Sequence, residues 1–419
     1  MNYKKNTIKN GIELHTIETP KFKTNLFAIF LTTPLNRANI TKNALISAVL
    51  RRGTAKLKSQ DAIAKELENM YGASFDCGVD KHGDNHVLKF YLESINDEFL
   101  PQKDELAKKS LDLLSDIVFN PNIENNCFKK DYVEGEKNTL KQIIEGKIDN
   151  KTKYALDRCI EEMFKNEVFG LYKFGYVEDL DEIDEKNLYE YYKELINNCK
   201  IDVFVSGYNI QNIGENEILS NLNERKGNII PTTARTITSS LESPKIVNEK
   251  MDITQGKLMI GLDVLNTNED EAYIASVYNV ILGGGANSKL FQNVREKASL
   301  AYTAGSSYLK AKNSVFIRCG IDVANYDKAI SIIKDQLVQI ENGDFSDNDL
   351  ESAKQIIYAS VKSIPDSQDG EIIYYFAQGL SNKFVNLDEY IQKIKSVTKE
   401  QVIQVAKKVK INTIYFLGN

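Results

Sequence analysis

Apolar and polar positions repeat with two different periods along the chain, and these periods predict a mixture of strands and helices. Residues 25–33 are strongly apolar, which predicts a central strand. Longer segments with apolar residues three and four apart predict helices. In the first half, the predicted strands are 11–16, 25–33, 74–80 and 85–91, and the predicted helices are 41–52, 60–71, 105–119 and 126–147.

The same order of elements returns after Met251, which indicates an internal duplication. The predicted strands of the second half are 258–263, 301–309 and 314–321, and the predicted helices include 271–282, 327–342 and 347–364. Each half also closes on an apolar strand followed by glycine, at 201–209 and 411–419. We therefore expect an α+β fold with two similar domains, 1–220 and 251–419. Between them, 221–250 is rich in Ser, Thr and Asn and is predicted to be a linker.

Composition narrows the class of protein without defining a function. The 419 residues carry a formal charge of −6 with both signs interspersed, which argues against a nucleic-acid partner. The five cysteines are scattered and form no Cys-x-x-Cys pair, which indicates reduced thiols and a cytoplasmic protein. The N-terminus lacks an apolar signal core and no apolar run is long enough for a membrane helix, so no membrane association is expected.

The most informative segment begins at Gly283-Gly284-Gly285, where an apolar helix is predicted to end. Asn287 or Ser288 can then cap a further helix that carries Arg295, and a strand follows near Tyr302. An Arg and a Tyr placed in this way can reach one peptide carbonyl, through paired guanidinium donors and a phenol that stabilises the oxyanion. A phosphate loop is a poor match because no Gly-Lys-Ser/Thr follows. The alternative is a solvated helix-end cation and an ordinary strand aromatic.

In order and spacing, this segment resembles the C-terminal signature of the pitrilysin/insulinase family, the inverted zinc metallopeptidases. Further similarity at 168–180 and 255–262 extends the resemblance over nearly the whole chain. The resemblance implies two pitrilysin-like domains, each a sheet packed on helices, that are joined by a linker and face each other as a clamshell. It also implies that Arg295 and Tyr302 hold the substrate.

Catalytic members of this family carry His-x-x-Glu-His on the first helix of the N-terminal half. The two histidines bind zinc and the glutamate activates water. Counting back from Gly53-Thr54 places the corresponding positions at Ala44, Ser47 and Ala48, and the third metal ligand falls at Ile143. None of these side chains can ligate zinc. The resemblance therefore implies that this chain binds no metal and is not catalytic alone.

An unfamiliar metal site is the remaining route to an autonomous peptidase. His82 and His86 are four residues apart, but residues 81–85 have the composition of a turn, which favours a polar hairpin tip over a metal site. His15, the third histidine, is predicted to lie alone on a strand. No Gly-x-Ser-x-Gly motif offers a serine nucleophile.

Two functions fit these observations. In the first, the chain is the non-zinc-binding subunit of a heterodimeric peptidase, and an extended peptide substrate pairs as an edge strand beside Arg295 and Tyr302. The partner would be a related, zinc-bearing chain, with self-association as the alternative. In the second, the chain is a non-enzymatic scaffold or a peptide-binding pseudo-peptidase. Residues 42–45, 50–54 and 71–75 most resemble a Gram-positive subgroup that is associated with modification of elongation factor P.

Overall fold

A computed structural model describes residues 3–9, 11–210, 213, 215–222, 225, 227–230, 243–265, 268–381 and 383–419. Strands and helices come in separate runs along the chain, and most neighbouring strands are antiparallel, which confirms the predicted α+β class. The strands are β1 (Tyr3–Lys9), β2 (Ile12–Glu18), β3 (Thr24–Pro34), β4 (Ser74–His82), β5 (Asn85–Ile95), β6 (Ile123–Glu124), β7 (Cys127–Phe128), β8 (Lys200–Gly207), β9 (Lys245–Lys250), β10 (Gly256–Val264), β11 (Ala301–Leu309), β12 (Ser314–Ile321) and β13 (Val409–Gly418). The α-helices are α1 (Ile40–Leu50), α2 (Gln60–Asn69), α3 (Leu106–Phe119), α4 (Lys130–Glu145), α5 (Lys151–Met163), α6 (Glu185–Asn198), α7 (Glu215–Asn221), α8 (Glu271–Gly283), α9 (Tyr326–Glu341), α10 (Asp347–Lys362), α11 (Gln368–Leu380), α12 (Leu387–Lys395) and α13 (Lys399–Lys407).

The chain divides into two compact units, and neither unit is one continuous segment. Unit 1 comprises Met1–Gly146, Leu171–Ala234 and Pro365–Asn382, and unit 2 comprises Lys147–Gly170, Arg235–Ile364 and Lys383–Asn419. Helix α5 therefore belongs to unit 2, and helix α11 belongs to unit 1. Within the predicted linker 221–250, β9 forms a strand of unit 2, and residues 231–242 lie outside the described residues.

Unit 1 is built on a six-stranded sheet with the order β1-β2-β8-β3-β5-β4. Strands β2 and β8 are parallel and the other neighbours are antiparallel. The central strand β3 alternates between two layers: Phe27 and Ile29 pack in the core with α1, α3, α4 and α6, whereas Ala28 and Phe30 face the other side. Strand β3 is central in the sheet, as predicted. Both of its faces are covered, which explains why its sequence is continuously apolar.

Helix α11 covers the second face of this sheet. The ring of Phe376 lies 4.6 Å from that of Phe30, and Ile372 is fully buried beside it. The side-chain amide of Gln368 donates a hydrogen bond to the backbone oxygen of Ser206 at 3.0 Å. Burial of two such apolar side chains contributes roughly 3–6 kcal/mol to the free energy of unfolding. A segment from the C-terminal part of the sequence thus completes the core of unit 1.

Unit 2 is built on a five-stranded sheet with the order β11-β12-β10-β13-β9, in which β13 and β9 are parallel. This order matches β4-β5-β3-β8-β2 of unit 1 and confirms the predicted repeat. Helix α5 covers the second face of this sheet: a Cβ added at Gly261 would lie 2.5 Å from the sulfur of Met163. Tyr154 and Arg158 of α5 both bind the carboxylate of Glu249, at 2.5 and 3.2 Å.

The start of one predicted helix was wrong. The prediction placed a helix at 126–147, whereas residues 123–128 form the β6–β7 hairpin and α4 begins at Lys130. Asn125 and Asn126 have φ angles of 52° and 60°. Two consecutive left-handed residues cannot start a right-handed helix, and Asn tolerates this conformation in a tight turn. In the described part of the chain, no helix combines the length and apolar character needed to cross a bilayer.

Candidate functional site

The segment between α8 and β11 positions Arg295. Helix α8 ends at Gly283, where a Cβ would lie 2.5 Å from the backbone nitrogen of Ser306 on β11, so glycine permits the close approach of helix and strand. The hydroxyl of Ser288 then accepts a hydrogen bond from the Phe291 N–H at 3.4 Å, as expected of one of the two predicted caps. The next helix, Phe291–Lys297, is a π-helix. Such wide turns are rare and are frequent at functional sites.

Two irregularities in the backbone direct Tyr302 outward. Ser299 adopts a left-handed conformation with φ of 52°, which costs a non-glycine residue about 1–2 kcal/mol. The register of β11 against β12 then shifts between Ala301 and Thr303, so Tyr302 lies at a β-bulge. Bulges redirect side chains and are common beside active sites. As a result, the side chain of Tyr302 is 76% exposed.

The structure brings the two predicted residues together. The guanidinium carbon of Arg295 lies 5.8 Å from the centre of the Tyr302 ring and 4.5 Å from that of Phe291. Its Nε is 3.5 Å from the carboxylate of the neighbouring Glu296. Within the described part of the chain, no hydrogen bond engages the Arg295 Nη atoms or the Tyr302 hydroxyl. These donors are therefore available to a ligand.

A polar cavity of about 180 Å³ lies on another side of the π-helix. Its lining includes Lys289, Gln292, Asn293 and Lys297, together with residues of α10, but neither Arg295 nor Tyr302. The predicted pair is accordingly on the open surface of unit 2 and does not line this cavity.

The predicted metal positions of unit 1 do not fit zinc. On α1, Ala44 is buried, Ala48 is half-buried, and the hydroxyl of Ser47 donates to the backbone oxygen of Ala44 at 2.8 Å. On α4, Ile143 is 44% exposed. Zinc needs deprotonated nitrogen, sulfur or carboxylate ligands. Two methyl groups, one hydroxyl that is already hydrogen-bonded and a sec-butyl group supply none.

Other interactions occupy the surroundings of these positions. The thiol of Cys77 donates to the backbone oxygen of Ser47 at 3.2 Å, and burial raises the pKa of this thiol to about 12. The Cys77 side chain is therefore a neutral thiol whose proton is engaged by the backbone of α1. Beyond the end of α1, Arg52 forms an ion pair of 2.5 Å with the buried Glu136 of α4.

His82 and His86 flank a hairpin turn, as predicted, and they have separate partners. His86 is fully buried; its Nδ1 lies 3.1 Å from the side-chain amide of Asn43, and its Nε2 lies 3.0 Å from the backbone oxygen of Lys173. Burial lowers the pKa of His86 to about 4. His82 packs edge-on against Phe376 at 5.2 Å, and burial lowers its pKa as well. Both imidazoles serve the packing of unit 1.

The prediction that His15 lies alone was wrong. His15 is on β2, as expected, but its Nδ1 accepts from the Tyr3 hydroxyl at 2.8 Å and its Nε2 donates to Asp202 on β8 at 3.0 Å. Lys200 bridges the carboxylates of Asp202 and Glu13 at 2.6 and 3.0 Å. Although burial opposes it, the hydrogen bond from His15 and the charge of Lys200 lower the pKa of Asp202. Since 187 residues separate His15 from Asp202, no local sequence signal could reveal this contact.

Glu13, His15 and Asp202 are close enough to hold a metal ion, with ligand atoms within 4.8 Å of one another. However, the ammonium group of Lys200 already contacts both carboxylates, and Lys5 forms a second ion pair with Glu13. A metal ion would have to displace the half-buried Lys200. The cluster is therefore better described as a salt-bridged polar core than as a metal centre.

Comparisons with known proteins agree with the geometry. A family model described as "Peptidase M16 inactive domain" matches residues 182–357. The "Probable inactive metalloprotease YmfF" of Bacillus subtilis is 35% identical over 97% of this chain and 96% of its own length. The "Uncharacterized zinc protease YmxG" of the same organism is 22% identical over 97% of this chain and 95% of its own length.

Two solved structures share the fold. The crystal structure of a conserved protein from Enterococcus faecalis has a TM-score of 0.90 and 26% identity, covering 100% of this chain and 99% of the other. The peptidase M16 inactive domain from Pseudomonas fluorescens has a TM-score of 0.79 and 20% identity, covering 100% and 98%. Together with the full-length similarity to YmfF, these findings show that the chain belongs to the peptidase M16, or pitrilysin/insulinase, family as an inactive, metalloprotease-like member.

Proposed function

We propose that this chain is the zinc-free, peptide-binding subunit of a two-chain peptidase. One observation carries the proposal: Arg295 and Tyr302 lie side by side on the surface of unit 2, and no described residue hydrogen-bonds to the Arg295 Nη groups or the Tyr302 hydroxyl, whereas the residues at 44, 47, 48 and 143 cannot bind zinc. In this proposal the chain binds the peptide substrate, and a related partner chain binds the zinc ion that activates water.

The chemistry of the pair suits a peptide carbonyl. The guanidinium of Arg295 can donate two parallel N–H groups to the main chain of a peptide, and the Tyr302 hydroxyl can donate to the oxyanion that forms as the carbonyl is attacked. Removal of one such donor typically lowers the catalytic rate by about 10²–10³-fold. Tyr302 and Arg295 would act as substrate-binding groups, and neither would activate the nucleophile.

An extended peptide could pair with a strand edge. The sheets of unit 1 and unit 2 end at β4 and β11, and edge strands present unpaired backbone groups. In β4, a Cβ added at Gly78 would meet no atom of the described chain within 4 Å. A glycine that internal packing does not require leaves room for the backbone of another chain.

The similarity to both an inactive metalloprotease and a zinc protease of Bacillus subtilis supports a division of labour between related chains. We propose a heterodimer with a zinc-bearing relative as the assembly, and a homodimer as its alternative. The free state of all five cysteines supports a cytoplasmic location.

The test is reconstitution with a zinc-bearing M16 relative from the same genome, using a fluorogenic peptide library. We expect no cleavage by this chain alone and cleavage by the pair. Arg295→Ala and Tyr302→Phe should each lower kcat by about 10²-fold or more, and Lys407→Ala, at an exposed cation of α13, serves as the control. If the two variants cleave normally while the partner still binds, a non-enzymatic scaffold is the better description of this chain.

A further inference from the structure

The π-helix carries an aromatic side chain that the core does not need. Leu290 and Val294 point into the core of unit 2 and are completely buried. Phe291 is only half-buried and lies on the face that carries Arg295. Its exposed ring is therefore not explained by packing of the hydrophobic core.

Phe291 contacts the guanidinium of Arg295. The two residues are four apart, which places them on the same face of the helix. The guanidinium carbon lies 4.5 Å from the centre of the Phe291 ring and 5.8 Å from the centre of the Tyr302 ring. We call Phe291, Arg295 and Tyr302 the aromatic–arginine stack. A planar guanidinium held against an aromatic face loses much of its rotational freedom, because stacking fixes the plane.

The stack also decides which nitrogen atoms are free. In the described part of the chain, the carboxylate near this guanidinium is that of Glu296, and it faces Nε at 3.5 Å. With the guanidinium carbon over the Phe291 ring and Nε toward Glu296, neither Nη group has a hydrogen-bond partner among the described residues, so both are left for a ligand. Without the ring, the flexible Arg295 side chain could turn both Nη groups toward Glu296, as a bidentate pair.

We propose that Phe291 is a positioning residue of the peptide site: its ring holds Arg295 in the orientation that presents both Nη groups to a substrate carbonyl. This inference rests on the proposed peptide-binding function. A cation–π contact at an exposed site changes an equilibrium by about two- to fivefold, so loss of the ring should weaken peptide binding by a factor in this range.

The experiment measures binding by the chain itself. A short peptide is selected on the wild-type protein from a random library, labelled with fluorescein, and titrated by anisotropy. Phe291→Leu should weaken binding about two- to fivefold, and Phe291→Tyr, which keeps the ring, should restore it. In an Arg295→Ala background, Phe291→Leu should have no further effect, because the ring then has no guanidinium to orient. Phe384→Leu, at another exposed aromatic of unit 2, should bind like the wild type.

The outcomes separate the inference from the function on which it rests. If Arg295→Ala binds the selected peptide as the wild type does, the proposed function is wrong. If Arg295→Ala weakens binding but Phe291→Leu does not, the function stands and the role of Phe291 is wrong. If Phe291→Leu weakens peptide binding equally in the wild-type and Arg295→Ala backgrounds, the ring contacts the peptide directly and the inference fails. The inference also fails if Phe291→Leu clearly lowers the melting temperature, because the ring then has a structural role.

Discussion

The two units share one strand order, but they differ in the helix that precedes the edge strand. In unit 1 this helix is α2, a regular α-helix whose first turn is capped by the Ser59 hydroxyl at 3.1 Å. In unit 2 the corresponding helix is the π-helix that carries Arg295. A left-handed residue follows in both units, Tyr71 in the first and Ser299 in the second, and only β11 then carries a bulge at its start.

This difference indicates that the candidate functional residues lie in unit 2. Unit 2 accepts a rare helix, a left-handed serine and a bulge within one short segment, and these features together expose Arg295 and Tyr302. Unit 1 shares the left-handed residue, at Tyr71, but it has a regular α-helix and an unbroken register of β4 against β5 at the corresponding place. Its polar groups, such as His15 and Asp202, are buried and paired with one another. Backbone strain accumulates at functional sites because a precise arrangement of side chains has to be held there. Four substitutions, each with a control, test this difference between the two units.

The largest effect is expected from the buried network of unit 1. Asp202→Ala leaves Lys200 and His15 without their shared acceptor and should lower the free energy of unfolding by about 3–5 kcal/mol. Asp388→Asn, on the exposed surface of α12, should change it by less than about 0.5 kcal/mol. Urea denaturation measures both. A loss below about 1 kcal/mol for Asp202→Ala would mean that the network does not stabilise unit 1.

The next effect concerns the pH dependence of unit 1. The folded protein lowers the pKa of His86 from its ordinary 6.5 to about 4, so the unfolded chain binds the extra proton first as the pH falls. This contribution to stability is complete above pH 6.5 and is lost as the pH falls toward 4, at up to about 1.4 kcal/mol per pH unit. His86→Gln should flatten the stability profile in this window. The difference between the two profiles isolates His86 from carboxylates that titrate below it. If the stability profiles of the wild type and His86→Gln run parallel between pH 4 and 6.5, His86 is not the source of this pH dependence.

A third prediction compares one glycine in each unit. Gly283→Ala in unit 2 places a Cβ 2.5 Å from the Ser306 nitrogen and should destabilise the protein by about 1–3 kcal/mol. Gly78→Ala on β4 of unit 1 adds a methyl group in open space and should be within about 0.5 kcal/mol of the wild type. Chemical denaturation distinguishes the two. Equal effects would show that α8 can shift away from β11.

The smallest effect is expected at Ser299. Ser299→Gly removes the strain of the left-handed serine, which is about 1–2 kcal/mol, but glycine also increases the entropy of the unfolded chain. We therefore expect the free energy of unfolding to rise by roughly 0.5 kcal/mol. Ser307→Gly, within the regular part of β11, should instead lose roughly 0.5–1 kcal/mol. Differential scanning calorimetry resolves the opposite signs. A destabilised Ser299→Gly variant would mean that the serine side chain makes a contribution that its backbone angle does not explain.

Local patterns predicted much of this architecture. The continuous apolar run of β3 indicated a central strand, and the recurring order of elements indicated the repeat. The glycines, the capping serine and the spacing from Arg295 to Tyr302 were enough to expect that these two side chains meet. The π-helix was not predictable, because apolar periodicity does not distinguish an α-turn from a π-turn over seven residues. The partners of His15 were not predictable either, since they come from β1 and β8.

The sequence by itself determined the main strands, several of the helices and their arrangement in two similar sets, because these follow from local periodicity. Residue type alone excludes zinc ligands at positions 44, 47, 48 and 143, which the family resemblance had singled out. Only the tertiary structure decided that α11 completes the core of unit 1 and α5 completes that of unit 2. The apolar face of an amphipathic helix indicates that it must be buried, but not against which sheet, because that choice depends on contacts between residues far apart in the chain.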